Sequence, residues 1–342
     1  MLGVLLSILL SFVLTIAILP DTIRLLREKG NIAIDVHKYG RPEVPKGAGF
    51  VLLFAVVTTL LGFVGVTTFS SGQVNPGILA ALVSILMAGM IGQLDDNLDF
   101  RNRTKIILPL IASIPMIAMQ VGTTTMNIPF IGPVNLGIFY PLIVVPLMMT
   151  FIIDSTNMYG GMNGLETGLA SINASAVVVY VILSGIISGQ VSSIDQIASG
   201  VVAGALLGAA MAFFIFNRYP AKVIPGDVGR LPLGAAMAAA LILGNMDRLA
   251  IFLYLTYGVN FLLYLLYRIH ARRTGEECAK FAEPTEEGTL EVAGPYTMYW
   301  VLPHFSHTMT EKKNVRLLML LQAIIAYAAV FFLLFGLPFI MG

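Results

Sequence analysis

Residues 76–105 read PGILAALVSILMAGMIGQLDDNLDFRNRTK. The first nineteen carry no charge, and a helix needs about 20 such residues to cross the hydrocarbon core of a bilayer. Asp95, Asp96 and Asp99 follow at once, then Arg101, Arg103 and Lys105. Adjacent carboxylates are out of place at a helix C-terminus, where the macrodipole disfavours negative charge. A metal ion or nearby cations would offset them. Neighbouring helical side chains point about 100° apart. Asp95 and Asp96 therefore both face an interior only if that end unwinds or if a site wraps around it. Asp95 and Asp99, four apart, share a face. One aspartate here would read as a solvated helix end; two in series do not. Lys105 opens the next apolar stretch, where it either meets a phosphate or snorkels to the membrane surface.

The rest of the chain fits a membrane reading. Of its 342 residues 57% are apolar and 11% charged, against about 25% charged in soluble domains; the mean hydropathy is +0.86. Apolar stretches at 2–20, 48–70, 76–94, 105–121, 138–153, 165–190, 196–217, 231–246, 248–267 and 316–340 predict an all-α polytopic membrane protein of about ten transmembrane helices. The first stretch has no basic leader, which favours a retained helix over a cleaved signal peptide. The net charge of +1 leaves no nucleic-acid footprint. The lone cysteine, Cys278, cannot form an intrachain disulfide and is given no role.

Ten spans sort the polar segments into two sets. Loops 21–47, 95–104, 154–164, 218–230 and 268–315, with the helix ends that adjoin them, hold every Lys and Arg except Arg248. The positive-inside rule puts these five loops in the cytoplasm and both termini outside. Only Asp195 and Asp247 among the acids fall on the other side. Acids contribute little to topology, so their clustering points to chemistry on one face. The outer segment 122–137 alternates apolar residues around Gly-Pro and reads as a small hairpin.

Three further groups lie on that face. Residues 154–166, DSTNMYGGMNGLE, carry no basic residue but have Asn157, Asn163 and three glycines. Glycines permit close backbone approach, and amides bind a metal or read a base edge. Asn163-Gly164 also fits an ordinary turn, which leaves Asp154 and Asn157 unexplained. In IPGDVGRLPLG, 224–234, Asp227 is either an N-cap or a metal carboxylate on a glycine-flexed loop. RIHARR, 268–273, concentrates cations suited to phosphate oxygens, although Arg268 serves equally as an anchor. His304 and His307 lack partners at a zinc spacing. Acids, amides and cations on one face fit a Mg²⁺-assisted phosphoryl-transfer site. No Walker or kinase loop suggests ATP, and the membrane setting suggests a lipid phosphate.

In order and sidedness, GQLDDNLDFRNRTK, NMYGGMNGLE, PGDVGRLPLG and the basic turn after the ninth span resemble the polyprenyl-phosphate N-acetylhexosamine-1-phosphate transferase superfamily, over essentially the whole chain. RPEVPKGAGF before the second span fits as well. The resemblance implies that Asp95, Asp96 and Lys105 are catalytic, and that Asn157 and Asp227 hold Mg²⁺, with Mn²⁺ as an alternative. It implies that Asn163, Gly164, Leu165 and Glu166 contact uridine, and that Asp99, His270 and Arg272 also serve substrate binding. The reaction would join a UDP-sugar to a polyprenyl or dolichyl phosphate and release UMP. The triple histidine of the bacterial cell-wall branch is missing, and GMNGLE resembles the archaeal and eukaryotic dolichyl-phosphate GlcNAc-1-phosphate transferases. The expectation is a single transmembrane catalytic domain, 1–342, with 268–315 as a substrate-binding loop, in the plasma membrane of a prokaryote, with an archaeon favoured. Its partners would be UDP-GlcNAc or a related UDP-sugar, polyprenyl or dolichyl phosphate, and the bilayer. A homodimer is compatible, but no motif encodes it. The alternative is a transporter of lipid-linked or nucleotide sugars. It is disfavoured because the acids sit at one face and no repeat relates broken helices.

Overall fold

A computed structural model describes residues 1–128, 131–189, 193–275 and 281–336. In chain order the elements are α1 (Leu2–Glu28), β1 (Ile32–Ile34), β2 (Glu43–Pro45), α2 (Gly49–Ser71), α3 (Pro76–Leu98), α4 (Asn102–Ala112) and α5 (Ile114–Ala118). Next come β3 (Thr125–Ile128), β4 (Gly132–Asn135), a π-helical turn (Tyr140–Val144) that runs into α6 (Val145–Tyr159), α7 (Leu165–Ser188), α8 (Ile194–Asn217) and α9 (Asp227–Leu243). The chain continues through α10 (Asp247–Leu253), α11 (Leu255–Thr274), β5 (Glu283–Pro284), β6 (Leu290–Glu291), α12 (Met298–Phe305) and α13 (Glu311–Phe335). The protein is an all-α polytopic membrane protein, with three small two-stranded hairpins among the described residues.

Every apolar segment is helical where described, but the expected count of ten spans is not reproduced. Among the described residues seven helices are long and apolar enough to cross a membrane. The count reaches eight if α10 and α11, bent by 54°, form one broken span. The segment at 105–121 is split into α4 and α5 at Ser113, two residues before Pro115, because Pro115 has no N–H to continue the helical ladder to the Ile111 carbonyl. The segment at 231–246 forms α9, only 17 residues long. The hairpin expected at 122–137 is present as β3 paired with β4. RIHARR belongs to the end of α11, not to a loop. The remainder of 268–315 holds β5, β6 and α12, while Cys278 lies outside the described residues.

Small residues set the packing. Gly200, Gly204 and Gly208 recur every four residues on α8 and face α1. A Cβ at Gly208 would stand 2.1 Å from the Ile8 carbonyl oxygen. Such close approach supplies the van der Waals contact that lipid-embedded helices rely on. α9 is the central helix and is buried along nearly its whole length. It packs against α3, α6, α8 and α2. Gly229 meets Gly49 of α2, and a Cβ at Gly92 of α3 would stand 2.2 Å from the Asp227 carbonyl oxygen. These contacts press the start of α9 against the end of α3, which brings Asp227 to the Asp95–Asp96 pair.

Candidate active site

Three chain segments make the floor of the site. The stretch from β2 into α2 runs beside residues 224–226: Ile224 N–H donates to the Pro45 carbonyl at 2.8 Å, Gly47 N–H to Ile224 at 3.0 Å and Gly49 N–H to Pro225 at 2.9 Å. The end of α3 docks against this pair. Gly226 has φ of +73°, a left-handed conformation for which glycine is suited. A Cβ there would also stand 2.6 Å from Asp96 Oδ2.

The helix end that carries the aspartate pair is not unwound; the site wraps around it. Asp95 points towards α4: its Oδ1 lies 2.9 Å from Lys105 Nζ and accepts from Phe100 N–H at 2.9 Å. Asp96 points the other way, with Oδ1 3.0 Å from Lys46 Nζ and Oδ2 accepting from Val228 N–H at 2.9 Å. Asp99 caps α3, is fully exposed and lies 3.6 Å from Lys105. Asp227 opens α9, within hydrogen-bonding reach of Asp95 and near Asp96. Asp227 is thus close to both members of the pair, although among the described residues only Asp35, His37 and Glu311 set three such ligand atoms within 4.8 Å of one another. The Asp227 carboxylate suits a divalent cation such as Mg²⁺, which takes one or two carboxylates and fills its shell with water and phosphate oxygens.

Arg230, one turn after Asp227, spans to the next segment. Its Nη1 is 3.9 Å from Asp227 Oδ1 and its Nη2 is 3.4 Å from Glu166 Oε1. Glu166 belongs to the first turn of α7 and is buried. Asn157, on the last turn of α6, lines a cavity of about 510 Å³ together with Lys105 and Asp154. Its other walls include Ile106, Leu147, Phe151 and Phe261. Leu147 and Phe151 also border a second cavity of about 710 Å³, with apolar walls from Met148, Ile251, Leu255 and Leu262. A cavity with polar residues at one side thus adjoins an apolar one between α6 and α11.

Asn163 lies in a separate buried cluster. Its Oδ1 accepts from Lys38 Nζ and from Ala221 N–H at 2.9 Å. Its Nδ2 donates to Asp35 Oδ2 at 3.1 Å, and its own N–H donates to Glu311 Oε1 at 2.7 Å. Lys38 Nζ bridges Asp35 and Glu311. Asp35, His37 and Glu311 set one ligand atom each within 4.8 Å of one another, an acidic group that could bind a metal. A cation entering there would displace the Lys38 ammonium. Gly164 has φ of +79°, and a Cβ would meet the Arg218 Cα at 2.9 Å. The Leu165 side chain is wholly buried. His270 stacks on Tyr296 at 6.0 Å and Arg272 is exposed on the last turn of α11. Neither joins the acids described above. Sequence reading missed Lys38, Lys46, Arg230 and Glu311. Lys46, inside RPEVPKGAGF, and Arg230, three residues after Asp227 at helical spacing, left local signals.

Burial of His37 holds its imidazole well below the usual range, at about 4; the Lys38 charge acts in the same sense, while Asp35 and a backbone contact to Gly161 oppose it. The folded protein therefore keeps His37 neutral, and the unfolded chain takes up a proton below about pH 6.5. Stability should be fully present above that value and fall as the pH drops towards 4, by on the order of 3 kcal/mol. Melting temperatures of the detergent-solubilised protein from pH 7 to 4.5 should show this loss. His37→Gln should flatten the profile, and an unchanged slope would contradict the assignment.

Residues 78–245 match the family model described as glycosyl transferase family 4. A protein of Sulfolobus acidocaldarius, provisionally named a UDP-N-acetylglucosamine–dolichyl-phosphate N-acetylglucosaminephosphotransferase, is 36% identical over 77% of this chain and 78% of its own length. A Saccharolobus solfataricus protein with the same provisional name is 31% identical over 96% of each chain. A phospho-N-acetylmuramoyl-pentapeptide-transferase of Clostridium perfringens is 30% identical over 72% of this chain and 73% of its own.

Proposed function

The chain belongs to glycosyl transferase family 4, and on that premise we propose that it moves GlcNAc-1-phosphate from UDP-GlcNAc to a dolichyl or other polyprenyl phosphate. A phosphate oxygen of the lipid attacks the β-phosphorus of the UDP-sugar. The bond from that phosphorus to the bridging oxygen breaks, its electron pair leaves with UMP, and a lipid-linked GlcNAc diphosphate remains. The observation that carries this reading is the meeting of Asp95, Asp96, Asp227, Lys46, Lys105 and Arg230 beside apolar cavities suited to an isoprenoid.

Asp227 and Asn157 would hold Mg²⁺, or Mn²⁺ in its place. The metal, when bound, supplies Lewis-acid stabilisation of charge on the transferred phosphoryl group. Asp95 and Asp96 position Lys105 and Lys46 and set the charge of the metal site. They are not needed as bases, since a phosphate monoester with a second pKa near ~6 is already mostly a dianion at neutral pH. Lys105, which lines the more polar of these cavities, meets the acceptor phosphate. The chain works as one transmembrane catalytic unit, with this face in the cytoplasm by the positive-inside rule.

The close contact of α3 and α9 is then part of the mechanism. Gly92→Ala places a Cβ 2.2 Å from the Asp227 carbonyl oxygen, and only separation of the helices relieves it. A misplacement near 1 Å commonly costs about 10²-fold in rate. Turnover should drop by about that factor while the purified variant still melts cooperatively; wild-type turnover would show that the acids tolerate separation.

The reaction is tested with purified protein, dolichyl phosphate and UDP-GlcNAc radiolabelled in the sugar. Mg²⁺-dependent label in the lipid phase is expected. Label that crosses sealed vesicles without joining lipid would favour the transporter.

A further inference from the structure

Arg230 is held less firmly than its setting requires. Its contacts to Glu166 and Asp227, at 3.4 and 3.9 Å, are long for charge-assisted hydrogen bonds. Its Nε–H is buried without an acceptor, and Glu166 Oε2 beside it is buried without a donor. Buried polar groups are nearly always paired, so an orphan donor and an orphan acceptor side by side point to a missing ligand. Gly160 keeps the approach clear: a Cβ there would lie 3.3 Å from Arg230 Nε and 3.1 Å from Glu166 Cβ.

Charge argues the same way. Asp95, Asp96, Asp99, Asp227 and Glu166 face Lys46, Lys105 and Arg230, an excess of two negative charges. A divalent cation would neutralise that excess and leave the guanidinium available to an anionic substrate. The ligand must offer acceptor oxygens to a guanidinium fork and a hydroxyl or N–H donor to the adjacent carboxylate. A nucleoside phosphate carries both within a few ångströms.

We propose that Arg230 is a catalytic residue that binds the phosphate of the departing UMP, beside the Glu166 that the family resemblance already sets against the uridine. This rests on the transfer reaction proposed above. As the bridging bond breaks, negative charge grows on the UMP oxygen. A preorganised guanidinium beside it stabilises that charge without reorganisation. Lysine would restore the charge but not the fork.

The test compares wild type, Arg230→Gln and Arg230→Lys in detergent with Mg²⁺, reading kcat and the inhibition constants of UMP and uridine against UDP-GlcNAc. Arg230→Gln should lower kcat by about 10²–10³-fold and weaken UMP by about tenfold or more, the scale of a lost charged hydrogen bond, with uridine unchanged. Arg230→Lys, which keeps Glu166 and Asp227 paired and guards against loss of folding, should fall between the two. Equal weakening of UMP and uridine, or no change in UMP, would make Arg230 a structural counter-ion and overturn the proposal. A folded wild type that binds neither UMP nor UDP-GlcNAc would overturn the transfer reaction itself.

Discussion

Asp227→Ala should abolish transfer, by at least about 10³-fold in kcat, without unfolding the protein. Removing Asp227 takes a carboxylate from Arg230 but also relieves repulsion with Asp95 and Asp96. The first turn of α9 keeps its remaining supports: Val228 N–H still donates to Asp96 and Gly229 still packs on Gly49. With the two charge effects opposed, the melting temperature should stay close to that of wild type. What disappears is the carboxylate that holds the metal, and with it the Mg²⁺ dependence of residual turnover. The check is kcat against Mg²⁺ concentration for both proteins. A variant that retained a Mg²⁺-dependent rate within tenfold of wild type would remove Asp227 from the metal site.

Lys105→Met should lower kcat by about 10²–10³-fold and raise the KM for the lipid acceptor more than that for UDP-GlcNAc. Methionine keeps an unbranched stem in the cavity wall and removes only the ammonium. That ammonium lies 2.9 Å from Asp95, which is 3% exposed, and 3.6 Å from Asp99. Leaving a buried carboxylate without its cation costs up to about 3–5 kcal/mol. Lys105 is itself about one-third exposed, and solvent screening reduces the loss well below that figure. A modest fall in melting temperature should accompany the kinetic loss. Lys105→Arg separates the two effects, because it keeps the ion pair while changing the shape presented to the phosphate. Full activity in Lys105→Met would return this residue to the role of a membrane-surface anchor.

The sequence displays its spans because an uninterrupted apolar run has few other uses, and it displays Asp95, Asp96 and Lys105 because they interrupt such runs. The direction in which the pair points could not be read locally. It depends on Lys46 from another loop and on the backbone of Val228, and both contacts exist only once α2, α3 and α9 have packed. The buried group around Lys38 is hidden for the same reason: Glu311 lies 273 residues away in the chain. Residues 268–273 misled in the opposite way. Their charge suggested a loop, yet the stretch contains no helix breaker before Gly275, and α11 runs through it. Composition reports the medium around a helix more faithfully than the point at which the helix stops.

The central claim is that this face transfers a sugar phosphate and not a sugar alone. The most direct measurement follows two preparations of UDP-GlcNAc, one with ³²P in the α-phosphate and one with ³²P in the β-phosphate, incubated with the purified protein, dolichyl phosphate and Mg²⁺. The account requires β-label in the lipid phase and α-label in released UMP. Both labels leaving together as UDP would mean that the bond to the sugar is the one that breaks, and would contradict the roles given to Asp227, Lys105 and Arg230.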